Sequence, residues 1–145
     1  MSTFWAEKRF CAGPQDTEAL GAELAQEFKP GDVLLLQGPL GAGKTCLTRG
    51  LARGLGADAD SVLSPTFALV REVRGGRLPL HHVDLYRLQG PGEVRGLGLE
   101  ELFDGDGLTV VEWPERLGAL APAGAWRLSL SLPPDGGREA TCLRP

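Results

Sequence analysis

Cysteine is scarce in this sequence of 145 residues, and its three occurrences, Cys11, Cys46 and Cys142, lie far apart. None belongs to a Cys-x-x-Cys pair or to a cluster with histidine, so neither a disulfide framework nor a zinc site is expected. We interpret all three as small, reduced, apolar residues. Long apolar runs are also missing, and no stretch approaches the length of a membrane-spanning helix.

Positive charge is in deficit, because the formal net charge is −4 at pH 7. This balance argues against a large nucleic-acid footprint of the sequence-independent kind, and no DNA partner is expected. Acidic chains can still bind RNA locally. The first ten residues carry Glu7, Lys8 and Arg9 without an apolar segment, so no secretory signal peptide is expected. The expected compartment is a reducing cytoplasm.

The most specific feature of the sequence is the octapeptide GPLGAGKT at residues 38–45. It matches the phosphate-binding loop pattern G-x-x-x-x-G-K-[ST] in full. Glycines allow backbone conformations in which successive N–H groups point at an anion, and the following helix start also favours phosphate. Lys44 is predicted to reach the β- and γ-phosphates, and the Thr45 hydroxyl to bind Mg²⁺. The predicted nucleotide-binding loop consists of Gly38, Pro39, Leu40, Gly41, Ala42, Gly43, Lys44 and Thr45.

The neighbourhood of this loop supports the prediction. Residues 32–37 are an apolar run typical of a buried strand, placed directly before the loop. Leu47, Leu51 and Leu55 then repeat at helical spacing. A strand, a phosphate-binding loop and a helix in this order indicate a nucleotide site instead of a glycine-rich turn that binds nothing.

The remaining pattern predicts an α/β fold with one mixed central sheet, helices on both faces and an antiparallel hairpin. The length favours one P-loop ATPase domain over residues 1–145, with a hydrophobic core large enough to be stable without disulfides or a structural metal ion. Asp16 is expected to cap a helix over residues 17–28. Strands over residues 67–73 and 78–83 are expected to flank the turn at residues 74–77. The other predicted elements are an edge strand at 4–11, a broken helix at 91–103, and strands at 108–111, 126–132 and 139–143.

Two carboxylates follow predicted strands, Asp84 after residues 78–83 and Glu112 after residues 108–111. In open α/β sheets, ligands bind beyond the carboxyl ends of the strands, so both are candidates for the site. Glu112 follows the more apolar run and is the preferred metal-side acid. Asp84 follows a strand that we expect to be less buried and is the candidate for orienting water near the γ-phosphate. The alternative for either is a strand-end or surface carboxylate.

Three further features are weaker signals. The SPTF stretch at residues 64–67 is either a plain turn or a switch in which the Thr66 hydroxyl senses the γ-phosphate or Mg²⁺. His81 and His82 are adjacent in a predicted strand and face opposite sides, so they do not readily converge on one ion. Trp113 is expected to pack against the core in preference to stacking on a base.

Four motifs, in this order and spacing, resemble those of the TsaE (YjeE) family: GPLGAGKT at 38–45, SPTF at 64–67, HHVDLYRL at 81–88 and VEWPE at 111–115. The likeness spans about residues 4 to 143. This family comprises small bacterial ATPases of tRNA threonylcarbamoyladenosine synthesis. The resemblance implies a cytoplasmic protein that binds ATP and Mg²⁺ and acts with TsaB and TsaD. Those partners install the threonylcarbamoyl group on adenosine 37 of tRNAs that read ANN codons, and ATP hydrolysis resets their complex between turnovers.

By matching motif, the resemblance assigns catalytic roles to Lys44 and Asp84 and metal binding to Thr45 and Glu112. It implies that Thr66 is the switch-like threonine. Further ATP-binding positions implied by the resemblance are Thr17, in the DTEALG stretch, and Arg138, in GGREA. Two departures stand out. Pro39 replaces the Asp that is usual in the family, and the aromatic residue common near Val73 is absent.

Three classes of function follow from these observations. The leading one is a partner-dependent ATPase in which water attacks the γ-phosphate, with weak activity alone and only indirect contact with tRNA. The alternative is a small P-loop metabolite kinase, although no arginine-rich lid segment is visible. The third is a nucleotide-binding interaction module that does not hydrolyse its ligand. A GTPase is disfavoured because no N-K-x-D motif occurs.

Overall fold

Eight strands form one sheet in the part of the chain that the computed structural model describes, residues 2–5, 7–62 and 70–145. The strands are β1 (Ser2–Thr3), β2 (Arg9–Cys11), β3 (Val33–Gln37), β4 (Val70–Val73), β5 (Leu80–Asp84), β6 (Leu108–Glu112), β7 (Trp126–Ser131) and β8 (Arg138–Arg144). The α-helices are α1 (Pro14–Leu24), α2 (Lys44–Gly54), α3 (Pro91–Val94) and α4 (Leu99–Phe103). Short 3₁₀ helices cover Ala25–Glu27, Ala59–Ser61, Arg95–Leu97 and Pro114–Leu120.

The centre of the sheet is parallel and both of its sides are antiparallel. The strand order is β1, β8, β7, β3, β6, β5, β4, and β2 also pairs with β8. Strands β7, β3, β6 and β5 run parallel, whereas β8 pairs antiparallel with β7, and β4 with β5. The predicted mixed sheet and its antiparallel hairpin are confirmed. Residues 67–69 of the predicted first hairpin strand lie outside the described residues.

Each face of the sheet is covered by its own apolar core. On one face, helices α1 and α2 contribute leucines that pack on side chains of the central strands, among them Leu34 of β3 and Val110 of β6. On the other face, α3, α4 and the 3₁₀ helices at residues 95–97 and 114–120 pack on Val33, Leu35 and Val111. The alternation along β3 and β6 follows from the two-residue period of a strand. Helices therefore lie on both faces, as the sequence predicts.

Helix α1 begins earlier than expected. It starts at Pro14, with Gly13 as the N-cap, and the α-helical part ends at Leu24. Proline favours the first helical position because its missing N–H has no intrahelical partner there. Asp16 is not the cap: its carboxylate lies in the first turn and accepts a hydrogen bond from the N–H of Ala12. The predicted edge strand at residues 4–11 is also shorter, since only Arg9–Cys11 of that range forms strand β2.

Glycines bring α1 and α2 into backbone contact. A Cβ atom on Gly50 would lie 2.0 Å from the carbonyl oxygen of Glu18, and one on Gly21 would lie 2.3 Å from that of Leu47. Side chains at these positions would force the helices apart. This close packing holds the first turn of α1 against the start of α2, and the methyl group of Thr17 is 3.5 Å from the Cβ position of Gly43.

We expect Gly50→Ala to lower the free energy of unfolding. Overpacking costs about 1–3 kcal/mol and sometimes more, whereas alanine in a helix interior gains only about 0.5–1 kcal/mol over glycine. Urea unfolding measures the net change. Gly92→Ala in α3 is the matched control, because no heavy atom lies within 4 Å of its Cβ position. Equal stability of the two variants would contradict the proposed helix contact.

Candidate nucleotide site

The loop between β3 and α2 has the backbone of an anion-binding turn. Gly41 and Gly43 have φ of 80° and 99°, a left-handed region that favours glycine. Gly38 lies close to β7, because a Cβ atom there would be 2.9 Å from the carbonyl oxygen of Leu130. The first bond of α2 runs from the N–H of Leu47 to the carbonyl of Gly43. The amide of Ala42 donates to the carbonyl of Pro39, whereas those of Lys44, Thr45 and Cys46 have no acceptor within the helix and can face an anion.

Lys44 lies at the first position of α2 and is folded back over the loop. Its ammonium donates a hydrogen bond to the carbonyl of Gly38 at 2.7 Å and lies 3.9 Å from the ring centroid of Trp113. The residue is only 6% exposed. Burial lowers the pKa of Lys44, while the carboxylates of Glu112, Asp84 and Glu115 oppose that shift. The site therefore contains a cation that is partly removed from water.

The two predicted acidic residues come together at the carboxyl edge of the sheet. Asp84 and Glu112 are the last residues of β5 and β6 and are direct partners in the parallel register. Glu112 also neighbours Leu36 of β3, two residues before the loop begins. Glu112 is buried, and Asp84 is half-buried. The sheet thus gathers Asp84, Glu112 and the phosphate loop at one edge.

Asp84 is a carboxylate in an unfavourable setting. Burial raises its pKa, and the nearby Glu112 raises it further. A hydrogen bond from the N–H of Tyr86 to Oδ1, 2.9 Å long, opposes this shift, as does the charge of Lys44. The folded protein therefore holds a negative charge here at some cost in stability.

His82 is the site residue that sequence reasoning missed. Its Nε2 is hydrogen-bonded to Oε2 of Glu112, and the His82 side chain is 1% exposed. As expected, β5 is less completely buried than β6: His81 and Asp84 are partly exposed, whereas every residue of β6 is buried. The signal is a polar residue two positions before Asp84, on the same face of the strand. Using it requires knowing that β5 and β6 are neighbours.

Trp113 lies between Lys44 and the apolar core on the sheet face covered by α3 and α4. It follows β6 directly and has φ of 59°, the one positive value of a non-glycine residue among the described residues. Its ring lies over the Lys44 ammonium, 5.0 Å from the ring of Tyr86, and it packs at the margin of the core beneath α3 and α4. The expected core packing is therefore present. The left-handed backbone costs energy at a bulky residue, which is typical of functional sites.

Thr17 and Arg138 lie together beside the loop, in a cavity of about 340 Å³. The Arg138 guanidinium donates two hydrogen bonds to the carbonyl of Gly41, at 2.8 and 3.2 Å. Thr17 is buried against Gly43. Two residues at opposite ends of the sequence therefore contact the same turn. The other residues that line the cavity are Ala12, Gly13, Pro14, Gly41, Gly43, Cys46 and Gly137.

The remaining predicted positions have simple descriptions. Pro39 and Leu40 are exposed at the tip of the loop, and Thr45 is half-buried in the first turn of α2. The predicted switch residue Thr66 lies outside the described residues. All three cysteines are free thiols. Cys11 and Cys142 belong to the core, where burial raises the pKa of Cys142 to about 12.

Comparison with known proteins identifies the family. The family model for the threonylcarbamoyl adenosine biosynthesis protein TsaE matches residues 11–140. The chain belongs to the TsaE family. This agrees with the resemblance found in the four sequence motifs. The match includes the phosphate loop, both acidic residues, Thr17 and Arg138.

Several bacterial TsaE proteins are similar to this chain in sequence. TsaE of Bacillus subtilis is 42% identical over 128 residues, which is 88% of this chain and 79% of that protein. TsaE of Treponema pallidum is 42% identical over 88% of this chain and 93% of that protein. TsaE of Synechocystis is 50% identical over 70% of this chain, and the match spans 66% of its own length. All three are described as tRNA threonylcarbamoyladenosine biosynthesis proteins.

A solved structure shows that the family likeness extends to the fold. The crystal structure of Bacillus subtilis YdiB superimposes with a TM-score of 0.79 at 36% sequence identity. The match covers 95% of this chain and 84% of that one.

Among the described helices, none is both long and apolar enough to cross a membrane. Nor do the described residues contain a group of three or more His, Cys, Asp and Glu side chains placed to hold a metal ion.

We expect Asp84→Asn to stabilise the ligand-free protein at neutral pH, raising its melting temperature by on the order of 2 °C. The amide keeps the acceptor for the Tyr86 N–H but carries no charge. Because burial raises the folded-state pKa of Asp84, the gain is full above that pKa and shrinks as the pH falls through it. It should vanish as the pH falls below the ordinary range of aspartate, since the wild-type carboxyl is then neutral in both states.

Thermal unfolding across pH measures this effect. Asp135→Asn, at an exposed turn residue, is the control and should leave the melting temperature unchanged. A stability loss for Asp84→Asn at neutral pH would show that Asp84 is a structural strand-end residue.

Proposed function

We propose that this chain is an ATPase required for the threonylcarbamoyl modification of adenosine 37 in tRNAs that read ANN codons. It binds ATP with Mg²⁺ and acts on a complex of TsaB and TsaD proteins. The observation that carries the proposal is the convergence of Lys44, Asp84 and Glu112 at one sheet edge beside a complete phosphate loop. Membership of the TsaE family supplies the pathway.

The loop supports binding of a triphosphate. Unpaired amides at the start of α2 and the ammonium of Lys44 offer positive charge to the phosphates. Lys44 must then exchange the carbonyl of Gly38 for a phosphate oxygen. The cavity lined by Thr17 and Arg138 adjoins the same turn, and we propose that it receives the remainder of the nucleotide. Arg138 already holds the Gly41 carbonyl and so fixes the loop on that side.

The donor set suits magnesium. Mg²⁺ prefers hard oxygen ligands, and the site offers the Thr45 hydroxyl and the buried Glu112 carboxylate. One oxygen of Glu112 is bound by His82, which leaves the other to contact the ion or its water. When bound, the ion would neutralise charge on the β- and γ-phosphates. Thr45 and Glu112 are therefore the proposed metal-binding residues.

Hydrolysis requires a positioned water. We assign this role to the Asp84 carboxylate, which is half-buried and adjoins Glu112 in the register. It accepts a hydrogen bond from the attacking water, whose oxygen bonds to the γ-phosphorus as the bond to ADP breaks. Lys44 and the loop amides stabilise the charge that develops on the phosphoryl oxygens. We propose that turnover is weak in the isolated chain and depends on partners.

The proposed setting follows from the same features. Contact with tRNA is indirect, through the partner complex, since the chain has a net charge of −4. The three free thiols are compatible with a reducing cytoplasm. Thr66 is proposed as a switch that follows the state of the γ-phosphate.

Reconstituted tRNA modification with purified TsaB and TsaD tests the proposal. With this chain present, modification should continue over many turnovers, and without it should stop after roughly the first. Lys44→Ala should reduce the rate about 10²-fold or more, since a charge-stabilising donor is lost. Lys29→Ala, at an exposed lysine, is the matched control and should retain activity.

The outcome separates the competing functions. Full modification without the chain, or with Lys44→Ala, would contradict the proposal. Transfer of the γ-phosphate to a small acceptor, in place of release as free phosphate, would indicate a metabolite kinase. Full modification with Asp84→Asn would indicate a nucleotide-binding module that does not need hydrolysis.

A further inference from the structure

We infer that His82 is a positioning residue that fixes the Glu112 carboxylate for Mg²⁺. The inference rests on the proposed function, in which Glu112 is the metal-side acid. Its structural basis is the hydrogen bond between His82 Nε2 and Glu112 Oε2, made between two side chains that are both buried. No role in the site follows for His82 from the sequence motifs alone.

The sheet register dictates this contact. His82 pairs with Val110 across β5 and β6, and Glu112 is two residues further along β6. Residues two apart on a strand share a face, so His82 and Glu112 are diagonal neighbours on the face covered by α2. Asp84, two residues after His82, lies on this face as well. The histidine is thus set one residue pair deeper in the sheet than the pair formed by Asp84 and Glu112.

The surroundings of the two His82 ring nitrogens indicate which of them carries the proton. His82 Nδ1 is buried and has no hydrogen-bond partner among the described residues. A proton on Nδ1 would be a buried donor without an acceptor. The ring N–H is therefore assigned to Nε2, which donates to Oε2 of Glu112. The other carboxylate oxygen, Oε1, is the one proposed to face the ion.

A purely structural role explains His82 poorly. Of its two register partners, Val110 of β6 is buried and apolar and Arg71 of β4 is partly exposed, and a leucine at residue 82 would leave no orphan ring nitrogen. A buried polar group with one unmet hydrogen bond calls for a compensating interaction. Without His82, the alternative charged partner for Glu112 is Lys44, whose ammonium its carboxylate already attracts. A donor at Nε2 keeps the carboxylate directed to the metal instead of the lysine.

The test compares three variants by calorimetry with a non-hydrolysable ATP analogue, titrated with and without Mg²⁺. The measured quantity is the ratio of the two affinities. His82→Gln places an amide N–H near the position of Nε2, His82→Asn ends its amide near Nδ1, and His82→Leu has no donor. We expect His82→Gln to retain the wild-type ratio within about threefold. The ratio should fall about 10- to 100-fold in the Asn and Leu variants, as is usual for lost outer-shell contacts.

Affinity without Mg²⁺ serves as the internal control and should stay unchanged in all three variants. If His82→Leu does not fold, the comparison of Gln with Asn decides. A wild-type ratio in the Asn variant, or equal losses in Gln and Asn, would overturn the inference. If the wild-type protein binds the analogue equally with and without Mg²⁺, the proposed magnesium site itself is contradicted, and the inference falls with it.

Discussion

The parallel register of β3, β6 and β5 is the constraint on which the site depends. Because the three strands run in the same direction and end at one edge, they bring together the loop after β3, Glu112 and Asp84. Helices α1 and α2 then complete the site from one face. Their backbone contact at Gly21 and Gly50 fixes Thr17 against the loop. Strand order and helix approach together bring the candidate residues Asp84, Glu112 and Thr17 to the loop that carries Lys44.

The site holds partly buried charged groups, which a bound nucleotide and metal ion would neutralise. A desolvated ammonium, Lys44, lies on a backbone carbonyl and an aromatic ring, while two carboxylates lie in adjacent strands. Burial disfavours the charged forms of Lys44 and Asp84, and phosphate and a metal ion would offset these charges in the proposed complex. Such groups lower the stability of the fold relative to neutral side chains, as is common where binding and catalysis need unsatisfied groups.

Local features were predictable from the sequence and long-range ones were not. The loop at residues 38–45, its strand and its helix follow from motif and periodicity, and the two acidic residues follow from strands that precede them. The start of α1 was misplaced because Asp16 resembles a cap, whereas Gly13 and Pro14 determine the first turn. The contacts of His82 with Glu112 and of Arg138 with Gly41 join residues 30 and 97 positions apart. They depend on strand order, which spacing along the chain does not encode.

The most direct test is a crystal structure with Mg²⁺ and a non-hydrolysable ATP analogue. The Lys44 ammonium should have left the Gly38 carbonyl for a phosphate oxygen, with the loop amides around the β-phosphate and the Thr45 hydroxyl on the metal ion. An analogue bound elsewhere, with Lys44 still on Gly38, would contradict the account.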